Sequence, residues 1–130
     1  MKATTQQWLN FAETDLRTCK KIIGDEFLTN VVTFHSQQAV EKCFKAIIDE
    51  KELQIPRIHS LTRLYGVIQD NITFTVDNVM LQKVDSVYAT SRYPSDYGLI
   101  PESKPSQELA DQLYEFAKNI FNKTTEMIEN

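Results

Sequence analysis

The stretch of this chain whose residue types best suit chemistry is RYPSDY, which places Arg92, Tyr93, Asp96 and Tyr97 close together. A guanidinium can grip a phosphate through two parallel hydrogen bonds while a phenol ring stacks on a base, so the segment reads as an edge facing a nucleotide or RNA. A plainer role competes: Arg92 pairs with Asp15 or Asp96 and locks a helix end, and the tyrosines pack as ordinary amphipathic side chains. Asp15 enters because it falls inside an apolar arc of its helix, where a carboxylate needs a cation or several donors unless it sits at the edge and reaches water. Gln38, Glu41, Lys42 and Lys45 share one polar stripe of another helix,. That stripe is either solvated, or at a subunit contact, or a wall of the nucleotide cleft through Gln38 and Lys42. Of the two histidines, His35 shares its wheel angle with Leu28 and Ala46 and reads as a hydrogen-bonded core group, while His59 precedes a helix start. Neither has a metal-ligand spacing with a cysteine, no glycine-rich phosphate loop is present, and no nucleophile-and-base pair is legible. No metal and no cofactor are expected.

The elements that must position these residues are helices. Residues 27–50 carry an unbroken helical pattern with no Gly or Pro. Leu28, Val32, Ala39, Cys43 and Ala46 share one arc, Val40, Phe44 and Ile47 extend it, and Phe27, Val31 and Phe34 cover the remaining side of the first half. A helix apolar on most of its circumference belongs inside a protein. Before it, a first helix is expected over about 4–23, with Thr4 and Gln7 at capping-box spacing and Gly24 as its stop. Its apolar arc holds Trp8, Leu9, Phe11, Ala12, Leu16 and Cys19. After Pro56, Ser60 caps a short third helix ending near Asn71. A fourth runs from about 76 to 91, with ITFT before it as a connection rather than a strand. Residues 92–105, with three of the four prolines, form a long loop of the kind that is usually functional or mobile. A fifth helix starts near Ser106.

The fold class expected is therefore all-α: an up-and-down antiparallel helical bundle of four long helices plus one short one, spanning residues 1–130 as one domain. A chain of 130 residues buries roughly 70% of its unfolded surface, enough for one core. Its net charge of -4 counts against general DNA binding, which rests on neutralising many phosphates. No apolar run reaches the roughly 18 residues of a membrane span and no signal peptide is visible. Cys19 and Cys43 lie on apolar arcs, which suits a reducing, cytoplasmic setting. Tyr88, Tyr114 and Phe121, at the margins of their stripes, are expected where a second subunit would cover them.

Three separated pieces, WLNFAETDLRTCKKII, FHSQQAVEKCFKAII followed by IHSL, and YATSRYPSDY, resemble the HEPN domain, a helical family associated with nucleotide binding. The resemblance implies an up-and-down bundle, commonly a homodimer, often paired with a minimal nucleotidyltransferase in a toxin-antitoxin system. Active members are similar in an arginine and a histidine, four to six residues apart, forming a metal-independent ribonuclease site. Here Arg92 matches the arginine, but positions 97 to 99 read Tyr97, Gly98 and Leu99. Tyr97 or Asp96 would have to replace the histidine, and a phenol of ordinary pKa is a poor proton shuttle at neutral pH. The expectation is a nucleotide-binding module whose partner does the chemistry, with a degenerate ribonuclease or a plain dimerisation unit as the alternatives. His59 resembles a family position that looks structural.

Overall fold

Apolar residues at helical spacing give five helices in the computed structural model, which describes residues 1–91 and 104–129. The helices are α1 (Ala3–Ile22), α2 (Thr29–Glu50), α3 (Leu61–Ile68), α4 (Asn78–Ser91) and α5 (Gln107–Glu129). Among the described residues there is no strand, and residues 72–75 are a connection as expected. None of these helices is long and apolar enough to cross a membrane.

Helix ends follow local chemistry. Ser60 Oγ accepts from the Arg63 amide at 3.3 Å and Ser106 Oγ from the Leu109 amide at 3.1 Å, each satisfying an orphan donor of a first turn. Gly24 ends the α1 region at φ +93°, where a Cβ would be strained. Two expectations fail. Residues 26–28 form a separate 3-10 turn because the Asp25 carboxylate accepts from the Phe27 amide at 2.9 Å. The capping box is absent: α1 starts one residue earlier, and Thr4 donates instead to Asp49 Oδ2 at 2.6 Å.

The contacts fix the directions. Lys2 and Thr5, at the start of α1, bond Asp49 and Glu50 at the end of α2, so these helices are antiparallel. Tyr88 near the end of α4 stacks on Phe34 near the start of α2, and Ile47 and Met127 line one cleft at the ends of α2 and α5. The four long helices therefore alternate in direction. Their core is centred on α2, with Phe44, Ile47 and Ile48 fully buried against Leu61, Leu81, Leu113 and Ile120.

Not every apolar residue goes inside. Phe11 and Phe27 are exposed, each ring lying near a lysine, Lys42 at 5.9 Å and Lys104 at 4.4 Å from the ring centroid. Of the aromatics expected at a subunit margin, Tyr114 is buried, while Tyr88, which stacks on Phe34 at 5.8 Å, and Phe121 are half-buried.

Candidate functional site

Asp15 lies on the α1 surface that packs against α2, and its side chain is only 7% exposed. Lys42 Nζ reaches Oδ2 at 2.6 Å and His35 Nδ1 reaches Oδ1 at 2.8 Å. The helical period puts His35 and Lys42 on one side of α2, since seven residues are close to two turns. Asp15 thus has the cation that its position demands, and the partner among the described residues is Lys42. The two groups that hold it remain partly open, at 26% for the His35 side chain and 22% for Lys42. His35 is therefore not the core histidine expected. Because a carboxylate only accepts, the bond places the imidazole proton on Nδ1 and leaves Nε2 as a lone-pair acceptor when the ring is neutral.

The rest of the polar stripe is not solvated. Glu41 and Lys45 are buried and bonded to each other at 3.0 Å. Gln37 is fully buried and donates to Glu41 Oε1 at 3.1 Å and to the His59 carbonyl at 2.9 Å. Gln38 donates to Gln37 Oε1 at 2.8 Å, so its amide supports this inner network. The wheel could not reveal that α1 and the segment before α3 cover this side of α2.

The Asp15 cluster sits at the end of the bundle where α4 finishes. His35 meets Phe34 edge-on at 5.1 Å, and Phe34 stacks on Tyr88, one turn before Ser91. Arg92 is the next residue in the chain; with Tyr93, Asp96 and Tyr97 it lies outside the described residues. At the same end, a recess of about 560 Å³ is lined by Arg17, Lys20 and Lys21. Arg17 pairs with Glu13 at 2.9 Å, whereas Lys20 and Lys21 close the last turn of α1, where positive charge suits the helix dipole. By contrast, the cleft of about 290 Å³ between α2 and α5, lined by Glu50, Asn71 and Met127, holds none of the expected site residues.

Cys19 and Cys43 are free and buried. Burial pushes the Cys19 thiol up to about 11 and raises Cys43 as well, so neither offers a thiolate nucleophile at neutral pH. Among the described residues no three His, Cys, Asp or Glu side chains gather into a metal site.

Comparison with known proteins bears on this arrangement. A family model described as the HEPN domain matches residues 5–128. The fold is similar to the crystal structure of TT1696 from Thermus thermophilus, with TM-score 0.80 and 22% identity over 96% of this chain and 98% of that one. It is also similar to ST0689, an archaeal HEPN homologue, with TM-score 0.71 and 26% identity over 98% of this chain and 99% of that one. No curated protein matches the sequence.

Proposed function

From the premise that this chain belongs to the HEPN domain family, we propose that it is a nucleotide-binding module acting with a nucleotidyltransferase partner in a two-component, toxin-antitoxin-like system. The observation that carries this reading is the pair of partly open side chains, the Lys42 ammonium and the His35 imidazole, held on the buried Asp15 carboxylate beside the helix end that leads into Arg92. Pre-orienting such groups lowers the entropic cost of fixing a phosphate. Lys20 and Lys21 add positive charge at that end of an acidic protein, which favours encounter with an anion. In this reading Arg92 grips the phosphate, Tyr93 stacks on the base, Lys42 and His35 form the α2 wall, Asp15 positions both from behind, and Gln38 borders the wall while bracing Gln37. A homodimer belongs to the same reading, with exposed Phe11 and Val79 as apolar groups that a second copy would cover.

Calorimetric titration with nucleoside triphosphates tests it. Binding by the wild type should weaken about tenfold or more in Arg92→Ala, and a co-expressed nucleotidyltransferase should co-purify. Equal behaviour of wild type and Arg92→Ala in both assays would refute it.

One observation favours a second reading, a metal-independent endoribonuclease. The Nε2 atom of His35 has no partner among the described residues, so it can serve as the general base for a 2'-hydroxyl that the RYPSDY segment lacks, relieving Tyr97 and Asp96 of that role. RNA cleavage that persists with a chelator and disappears in His35→Asn is the expected result. No cleavage by the purified protein removes the reading.

A further inference from the structure

His59 presents a second built arrangement, made of residues that the site above does not use. Its side chain is 62% exposed, yet Nδ1 is held at 3.1 Å by Glu41 Oε1, on a carboxylate that is itself only 6% exposed. Both oxygens of that carboxylate are occupied, with Gln37 on Oε1 and Lys45 on Oε2. The His59 carbonyl is also tied down, by Gln37 at 2.9 Å. The imidazole is thus fixed in position and tautomer, with its proton on Nδ1 and Nε2 turned away from Glu41, its one bonded partner among the described residues,. Fastening the segment to α2 requires Nδ1 and the carbonyl alone. Nothing in that task requires an imidazole, because an asparagine amide would make the same bond to Glu41.

The residues flanking His59 in the chain suggest the ligand. Arg57 and Arg63 lie within four residues of His59, are exposed, and have no ion-pair partner among the described residues. In a chain of net charge -4, two exposed guanidinium groups two and four residues along the chain from an oriented imidazole give this corner a positive charge that suits an anion. The α3 helix end is not that site, since the Asp85 carboxylate already takes the Leu61 and Thr62 amides at 2.8 and 3.1 Å. We propose that the 57–63 corner binds a phosphate ester, with His59 Nε2 hydrogen-bonded to a phosphate oxygen and Arg57 and Arg63 balancing the charge. This site is separate from the Asp15 end of the bundle and stands or falls without it.

The chain has two histidines, so one serves as the control for the other. Inorganic phosphate is titrated into the isotope-labelled protein at neutral pH, with ionic strength held constant by chloride, while the ring signals of both imidazoles are followed. The expected result is a saturable shift of His59 with His35 unmoved, and about tenfold weaker binding in the Arg57→Gln/Arg63→Gln double variant. His59→Asn, which retains a donor for Glu41 and lacks Nε2, should keep the melting temperature and bind phosphate more weakly, as read from backbone amides of residues 57–63. The proposal is overturned if His59 does not respond, if the double variant binds as well as wild type, or if His59→Asn does so. A response of His35 alone also overturns it, and would leave the reading of the Asp15 end intact.

Discussion

Removing the Asp15 carboxylate is the sharpest perturbation of the candidate site. In Asp15→Ala the Lys42 ammonium loses a partner at 2.6 Å and His35 one at 2.8 Å, and both are left in a largely enclosed position. Breaking one side of a buried ion pair costs about 3–5 kcal/mol. The Lys42 side chain retains 22% exposure, so its ammonium can swing partly into water, which reduces the expected loss to about 2–3 kcal/mol. For 130 residues an unfolding entropy of about 2.1 cal/mol/K per residue converts 2.5 kcal/mol into a fall of about 9 °C in melting temperature.

A double-mutant cycle in urea separates this pair from ordinary packing. Lys42→Met alone should cost about 2 kcal/mol by leaving the carboxylate to His35, and Asp15→Ala/Lys42→Met should cost less than the sum of the singles by at least about 1 kcal/mol. The coupling should survive added salt. The exposed pair of Arg17 and Glu13 should couple by only about 0.3–0.5 kcal/mol and fade with salt. Single losses below about 0.5 kcal/mol, or strict additivity, would refute the claim that Asp15 is a buried anchor.

Asp85→Ala removes the acceptor of two α3 amides and of the Ser60 and Thr62 hydroxyls, and should cost about 2 kcal/mol in urea unfolding against about 1 for Ser60→Ala. If Ser60→Ala costs the more, Ser60 rather than Asp85 is the main cap. Acid stability depends on the seam between the start of α1 and the end of α2. The Thr4 and Thr5 hydroxyls, with Lys2 alongside, hold the Asp49 carboxyl below the usual carboxylate range, and the Lys2 amide does the same for Glu50. Carboxyls depressed in the folded state contribute fully above the unfolded pKa and lose that contribution as pH falls through the folded value, here below about pH 4. Thr4→Val/Thr5→Val should therefore flatten the acid limb of melting temperature against pH; an unchanged midpoint for the Asp49 carboxyl carbon would contradict this.

Most of the fold was legible because its causes are local. Unbroken helical periodicity up to Glu50, the break at Pro56 and serines placed before apolar runs are each decided by a few neighbouring residues. Failures arose where a neighbour remote in sequence decides. Thr4 has the spacing to cap its own helix, but Lys2 and Thr4 both bond the far end of α2, and the helix starts at Ala3 with Thr4 inside its first turn, where its hydroxyl donates to the Asp49 carboxylate at 2.6 Å instead of capping,. Glu41 and Lys45 looked like a solvated stripe because a wheel records which residues share a face and is silent on what covers it. Phe11 and Phe27 looked like core for the same reason, although each ends beside a lysine at the surface. The need of Asp15 for a cation was readable from chemistry alone; that Lys42, 27 residues away, would supply it was not.

The two carboxylate clusters of α2 raise a question that stability does not answer. An ion pair enclosed between helices can often be exchanged for apolar residues of similar volume with no loss, because desolvation cancels most of its attraction. Apolar stripes, however, match again after each helical turn, so they only weakly specify how far one helix slides along another. Asp15 bonded to Lys42, and Glu41 to His59, each reward a single alignment, of α1 on α2 and of the 51–60 segment on α2. Alignment accounts for the buried atoms of both clusters, and a lysine or an amide would serve it in place of either imidazole. It does not account for each histidine holding Nδ1 against a carboxylate while keeping part of its ring in water. That shared pattern, in the only two histidines of the chain, is what directs a search for ligands to the two Nε2 atoms.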